Sequence, residues 1–265
     1  MNDFTYHAPT SLDDAVAALR GAEGGTLIAG GQSLLPIMKL NLAAPTDVVS
    51  LAGVAGLSDI SDDGDSVTVG AMCTHTQVAG SAVVQARIPA LAAMADGIGD
   101  AQVRNAGTIG GSVAHNDPAA DYPAACVALG ATIVTDRREI GADDYFQGMF
   151  MTALEDDEVI TAVRFPVPAR AGWAKFANPA SKYAVAGVMV ADGPAGVRVA
   201  VTGASGDGVF RAAEMEAALG DSFSAEAVAG IGVSSHGLLS DTAAGAEYRA
   251  HLVTVMAKRA VEACG

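Results

Sequence analysis

Two stretches of the chain join paired glycines to hydroxyl side chains: Leu27-Ile28-Ala29-Gly30-Gly31-Gln32-Ser33-Leu34-Leu35-Pro36 and Thr108-Ile109-Gly110-Gly111-Ser112. The second runs on through Val113-Ala114-His115-Asn116-Asp117-Pro118-Ala119-Ala120 to Asp121, a carboxylate beyond a proline. Missing side chains let a ligand approach the backbone, and successive N–H groups beside a helix start attract anions. Brought together, two such stretches would hold a diphosphate from both sides. Neither matches G-x-G-x-x-G or G-x-x-x-x-G-K-[ST], so the usual dinucleotide and P-loop readings fail on residues. A Gly-Gly pair by itself is an ordinary turn. The weight rests on having two, each followed by a serine. On this reading Gly110→Val or Gly111→Val fills the space a diphosphate needs.

Several other residues carry two readings. Asp121 is either the N-cap of a following helix or a hydrogen-bond partner for a cofactor hydroxyl. His115 is a proton shuttle or a plain loop histidine, with no carboxylate or nucleophile at diagnostic spacing. Lys175 reads as a solvated strand lysine. Tyr183 is sheet packing or an aromatic face set against a flat ring. The acidic run Glu155-Asp156-Asp157-Glu158 reads as a solvated loop. No Ser-His-Asp set, nucleophilic cysteine with a base, or pair of catalytic carboxylates is visible, so a cofactor supplies any chemistry.

Several elements must position these groups. Ser11 with Asp14 marks a helix start, Leu12, Ala15, Val16 and Leu19 follow at helical spacing, and Gly21 stops the run. Residues 25–29 suit a buried strand that feeds Gly30-Gly31. Ser33 is expected to cap a helical turn through Leu40, with Pro36 in its first turn. Strands are expected over 47–51, 67–71, 131–135 and 159–165, with a hairpin tip at Asp62-Asp63-Gly64-Asp65. Residues 76–98 read as mostly helical, broken near Arg87-Ile88-Pro89; a long glycine loop follows, then a helix start at Tyr122-Pro123. Pro166 and Pro168 place a boundary between domains 1–168 and 169–265. Beyond it come three antiparallel strands (173–176, 184–191, 196–202) and helices over 211–219, 225–231 and 246–263. Tyr248, Leu252, Val255 and Arg259 share one face of the last helix. The fold class is α+β.

Composition narrows the partners. Fifteen basic against thirty acidic residues give a formal charge of −15, which repels nucleic acid and anionic membranes. A diphosphate bound to such a chain is held mainly by backbone donors. Cys73, Cys126 and Cys264 lie far apart and suit neither a disulfide framework nor an iron–sulfur or zinc site. Met1-Asn2-Asp3-Phe4 lacks the basic and apolar regions of a signal peptide, and no apolar run spans a bilayer, so a soluble cytoplasmic protein is expected.

Together the two glycine stretches resemble the FAD-binding signatures of the flavin-containing medium subunit of molybdenum hydroxylases. The likeness is nearest the carbon monoxide dehydrogenase type, with xanthine dehydrogenase more distant. It extends through Glu158-Val159-Ile160-Thr161-Ala162-Val163-Arg164-Phe165-Pro166, through Lys175-Phe176-Ala177-Asn178-Pro179-Ala180-Ser181-Lys182-Tyr183, and into the last helix at Lys258-Arg259-Ala260. The resemblance implies a vanillyl-alcohol-oxidase (PCMH)-type FAD domain of two α/β subdomains, about 1–55 and 56–168, and a small C-terminal domain. It implies that residues 27–34 and 108–112 wrap the diphosphate, that Asp121 lies in the cofactor site, and that Ile160 and Lys175 sit near the flavin. It further implies a small partner subunit with [2Fe–2S] clusters, a large one with molybdopterin, and an external acceptor: NAD, quinone or oxygen. His115-Asn116 and the segment 178–182 depart from many relatives, and the missing cysteine set departs from the benzoyl-CoA-reductase branch. Two other readings stand beside this one: a self-sufficient FAD oxidoreductase of the same fold, for which no base or flavin-anchoring histidine is evident and only His75, His115 and His236 stand as candidates, and a flavin-free assembly or binding protein.

Overall fold

The computed structural model describes residues 1–264, folded as an α+β chain around three sheets and a small hairpin. The first unit comprises β1 (Thr5–His7), α1 (Leu12–Gly21), β2 (Gly25–Ile28), α2 (Leu34–Lys39) and β3 (Asp47–Ser50). Strand β3 lies between β1 and β2 and is parallel to both. Parallel strands need crossovers: α2 lies in the one joining the neighbours β2 and β3, and α1 in the one joining β1 to β2. The start of α1 is fixed by Ser11, whose hydroxyl accepts from Asp14 N–H at 3.1 Å, and its buried Ala15, Val16 and Leu19 pack with Val49 and Leu51. Strand β1 has no counterpart in the sequence reading: it is three mostly exposed residues, too short for alternation to show.

The central unit opens with β4 (Ile60–Asp62) and β5 (Ser66–Gly70) around the expected acidic turn. It continues through α3 (His75–Gly80), α4 (Ala82–Arg87), α5 (Pro89–Asp96), α6 (Ala101–Ala106), α7 (Ile109–His115) and α8 (Tyr122–Leu129). Then follow β6 (Thr132–Thr135), β7 (Glu139–Gly141), a short α9 (Ala142–Tyr145), the hairpin of β8 (Phe146–Gly148) with β9 (Met151–Thr152), and β10 (Ile160–Pro166). The five-stranded sheet is antiparallel in the order β4-β5-β10-β6-β7. The helical stretch 76–98 breaks before Pro89 as expected, and again at Ser81, whose hydroxyl caps α4 by accepting from Val84 N–H at 3.3 Å. Half of the long loop expected over 108–121 is a helix, Ile109–His115. Thr108 caps α7 by accepting from Gly111 N–H at 3.1 Å, and packing overrides the low helix propensity of its glycines. Asn116 ends α7 at φ 46°, a left-handed conformation that asparagine tolerates.

The last unit is a sheet of β11 (Arg170–Ala177), β12 (Ala184–Gly193), β13 (Gly196–Thr202) and β14 (Phe210–Arg211), with helices α10 (Ala213–Asp221), α11 (Ala225–Val228) and α12 (Ala246–Glu262). It has four antiparallel strands where three were expected. The fourth is two residues pairing with β13, and it delays the helix expected from 211 until Ala213. The buried face of α12 carries Arg249, Leu252, Val253, Met256, Ala257, Ala260 and Val261. The Tyr248/Leu252/Val255/Arg259 stripe is thus displaced from it, with Tyr248 and Arg259 exposed. Arg249 is buried because its guanidinium donates to the Val185 and Gly203 carbonyls at 2.7 Å each and pairs with Asp241 at 2.7 Å. Helix α8 is buried along its whole length and packs on β12 and β13, so an all-apolar sequence suits it. Among the described residues no helix is long and apolar enough to cross a membrane.

Candidate functional site

The two glycine stretches meet. A Cβ on Gly30 would stand 1.9 Å from the Ala106 carbonyl oxygen and 2.8 Å from Gly107 Cα, so only glycine permits this approach. Between the stretches lies a cavity of about 670 Å³, within the range of cofactor sites. On its first side β2 runs into Gly31, which adopts φ +69°, and α2 starts at Leu34. The N–H groups of Gly30, Gly31, Gln32, Ser33 and Leu34 find no acceptor among the described residues. Successive unengaged amides of this kind form an anion-binding concavity. Ser33 stands at the N-cap position but makes no cap bond, contrary to expectation. Its backbone is already helical (φ −103°, ψ −50°), whereas a capping residue is usually extended.

The second stretch is built differently. Ile109 N–H donates to the Cys73 carbonyl at 3.0 Å and Gly110 N–H to the Ala71 carbonyl at 2.9 Å. Gly111 N–H is taken by the Thr108 hydroxyl, and Ser112 N–H by the Thr108 carbonyl at 3.0 Å. This side therefore offers hydroxyls and a bare backbone rather than amide donors. A Cβ on Gly110 would lie 2.6 Å from Ala71 Cβ, so that glycine serves the seating of α7 on the end of β5 and not the space of a ligand. A Cβ on Gly111 would meet Thr108 Oγ1 at 2.9 Å and Ala29 Cβ at 3.7 Å, across the junction of the two stretches.

At the wall formed by the start of α8, Asp121 is buried, and its Oδ2 accepts from Lys175 Nζ at 2.5 Å. Lys175 also donates to the Gly97 carbonyl at 2.9 Å. It is a buried partner, not the solvated strand lysine of the sequence reading. Asp121 makes no side-chain cap bond, and its Oδ1 is buried without a hydrogen-bond partner. Burial pushes its carboxyl up to about 6 against the pull of Lys175. Half-exposed Tyr183 and buried Ile160 line the same cavity. His115 lines it too, with its ring 5.0 Å from that of Phe150. Asn116 fastens this corner by donating to the Gly148 and Met151 carbonyls at 2.8 Å each.

Among the residues singled out in the sequence, Leu27, Ile28, Ala29, Gly30, Gly31, Gln32, Ser33 and Leu34 line the cavity on one side. Thr108, Gly110, Gly111, Ser112, His115, Asp121, Ile160 and Tyr183 line the rest. Ile109 is fully buried behind the wall and Lys175 stands behind Asp121; neither lines it. His75, earlier only one of three histidines, lines the cavity where glycine at 107 admits its ring: a Cβ there would be 2.6 Å from His75 Nε2. Burial, with Arg104 adding to it, pushes the His75 imidazole down to about 4, so it is neutral at pH 7. The acidic run is a solvated loop only in its first half, where Glu155 and Asp156 are exposed. Glu158 is buried, paired with Arg138 at 2.7 Å and accepting from the Thr135 hydroxyl at 2.8 Å, while Asp157 pairs with Arg20 and Arg137 at 2.5 and 3.1 Å. Pairing of this kind needs arginines remote in sequence, which no local pattern announces.

A family model described as the FAD binding domain in molybdopterin dehydrogenase matches residues 2–168. The chain belongs to this family. It is 39% identical to the nicotine 6-hydroxylase medium subunit of Paenarthrobacter nicotinovorans, over 98% of this chain and 96% of that one. It is 37% identical to the carbon monoxide dehydrogenase medium chain of Hydrogenophaga pseudoflava, with the same coverage of 98% and 96%. A solved structure of carbon monoxide dehydrogenase from Oligotropha carboxidovorans superposes with a TM-score of 0.90 at 33% identity, covering 99% of this chain and 98% of that one. As a member of this family the chain is an FAD-binding oxidoreductase subunit. The cavity of this FAD-binding chain fits the cofactor chemically: unengaged amides suit a diphosphate, and an aromatic face beside an unpartnered carboxylate oxygen suits a polar ring.

Proposed function

We propose that this chain is the electron-transferring flavoprotein subunit of a molybdenum hydroxylase. It takes electrons from the [2Fe–2S] clusters of a small partner subunit, fed by the molybdopterin cofactor of a large one, and delivers them to NAD, a quinone or oxygen. The observation that carries the reading is the single cavity walled by both glycine stretches, with a row of amide donors on one side and Tyr183 and Asp121 on the other. Bound FAD supplies a ring that exchanges electrons singly or in pairs. In this reading the amides of residues 30–34 hold the diphosphate, since no lysine or arginine adjoins either glycine pair. Thr108, Gly111 and Ser112 floor the site, Ile160 and Tyr183 bracket the flat ring, and His115 shields the mouth. Ile109 supports the floor from behind, and Lys175 acts through Asp121. The division into 1–168, with subdomains 1–55 and 56–168, and 169–265 belongs to the same proposal. So do a heterotrimeric assembly and a cytoplasmic location, the latter suited by the free thiols of Cys73, Cys126 and Cys264.

The test is the visible spectrum of the affinity-purified native material together with the chains that accompany it. A yellow preparation carrying an iron–sulfur subunit and a molybdenum subunit is the expected outcome. Flavin with substrate turnover and no partner, or a colourless chain, would overturn the proposal.

A further inference from the structure

His75 sits on the cavity wall, 5% exposed, and its buried Nδ1 has no hydrogen-bond partner among the described residues. An imidazole buried in this way costs more than an apolar side chain of similar size unless its nitrogens are used. Its place is fixed from the backbone. Thr74 and Gln77 cap α3 reciprocally, and His75 N–H donates to the Gly107 carbonyl at 3.0 Å. The bare backbone at Gly107 then makes room for the ring: a Cβ there would lie 2.6 Å from Nε2 and 3.1 Å from Cδ2. Gly107 Cα is also the atom that Gly30 approaches, 2.8 Å from where a Cβ on Gly30 would stand. The Nε2 edge therefore faces the junction of the two glycine stretches, at the head of the unengaged amides. Tyr122, next in sequence to Asp121, packs against the imidazole with ring centroids 5.4 Å apart. Its hydroxyl is likewise buried without a partner. The imidazole thus stands between the anion-holding side of the cavity and the side that carries Asp121.

We propose that His75 is a cofactor-binding residue whose Nε2–H donates to an oxygen of the bound cofactor, where the diphosphate passes into the polyol linker. The inference rests on the flavin reading above. Burial, with Arg104 adding to it, holds the imidazole neutral, so the ring carries one proton and one accepting lone pair. Burial also keeps the Tyr122 phenol protonated, which makes it a donor. One buried water relays that donor to Nδ1 and satisfies both enclosed atoms. Nδ1 is then the acceptor, and the ring proton stands on Nε2, on the cavity side. A neutral donor suits this place, because it adds a directed bond without setting a second cation beside Arg104. Tyr122 is a positioning residue that acts on the cofactor through His75.

The experiment uses the purified full-length chain, freed of flavin and titrated with FAD while flavin fluorescence and circular dichroism are recorded. His75→Leu, which keeps the bulk and removes the donor, is expected to weaken FAD binding about tenfold, the weight of one buried hydrogen bond. His75→Gln, which restores an N–H, is expected within about threefold of wild type. Tyr122→Phe is expected to weaken binding less than His75→Leu does. Nitrogen NMR of the wild-type chain, isotopically labelled at histidine, reads the tautomer directly, with His75 assigned by its absence from the His75→Gln spectrum. The expected result is a neutral Nε2–H imidazole whose resonance moves on FAD addition, while those of exposed His236 and His251 stay. An Nδ1–H tautomer, or a His75 resonance unmoved by saturating FAD, overturns the proposal even where His75→Leu fails to fold. Wild-type affinity in His75→Leu overturns it as well, as does His75→Gln binding FAD as weakly as His75→Leu with fold intact. A wild-type chain that takes up no FAD sinks the flavin reading instead, which keeps the two failures distinct.

Discussion

Residues 30–34 and 108–112 carry nearly the same local signature, a glycine pair followed by serine, yet the fold uses them in opposite ways. In the first, five successive amides remain without an acceptor. In the second, every amide from Ile109 to Ser112 is engaged by Cys73, Ala71 or Thr108. The first stretch is a donor surface whose Gly30 also lets the Ala106 backbone approach; in the second, Gly110 is a pedestal that lets a helix sit directly on a strand end. A glycine is required either for what it lets the ligand reach or for what it lets the protein's own backbone reach, and only the location of the missing Cβ separates the two.

The largest effect expected from breaking this contrast is at Gly30 and Gly110. Gly30→Ala places Cβ 1.9 Å from a carbonyl oxygen and Gly110→Val drives a branched side chain into Ala71, so each should lower stability. A cost of about 3 kcal/mol for each is expected by urea denaturation of the flavin-free chain. Gly111→Val should act mainly on the ligand: near-complete loss of flavin in the spectrum, with a smaller stability cost of about 1 kcal/mol from crowding the Thr108 cap. If Gly111→Val unfolds the chain while Gly110→Val keeps both fold and flavin, the assignment of pedestal and ligand floor is wrong.

Glu158 tests the wall between the two stretches. Arg138 holds its carboxyl at about 2, below the ordinary 4.5, so its stabilisation is fully present above pH 4.5 and disappears as pH falls through about 2. Glu158→Gln should therefore cost about 2 kcal/mol at pH 7, and the gap to wild type should close toward pH 2. A gap independent of pH would show that the loss is one of packing. The smallest effects come from the two hydroxyls. Thr108→Ala removes a cap bond and should cost about 1 kcal/mol, whereas Ser33→Ala, with no cap bond to lose, should change stability by less than about 0.5 kcal/mol. Equal costs in thermal melts would erase the distinction drawn between the two helix starts.

Much of the fold was legible where a pattern is local. The capped start of α1 at Ser11, the buried strand leading to Gly30, the break before Pro89 and the start of α8 at Tyr122 all follow from residues a few positions apart. What escaped depends on remote partners. The 108–121 loop became α7 because Ala71 and Cys73 supply carbonyls to its first turn. Two-residue β14 exists only through β13, and three-residue β1 only through β3. The site shows the same division. Both glycine stretches were visible as motifs, whereas the engagement of Asp121 by Lys175, the burial of Glu158 against Arg138 and the admission of His75 beside Gly107 needed the chain closed in three dimensions.

Lys175 reaches out of β11, beyond residue 168 where the family match ends, to pair with a carboxylate from before it. Cut-and-paste engineering at that point would not be neutral. A hybrid joining residues 1–168 to the tail of a relative inherits a buried carboxylate whose counter-ion has to arrive from the graft. Such chimaeras should stay functional only when the donor tail brings a lysine or arginine to the same strand position, which makes one cation the compatibility key between the two halves of the gene product.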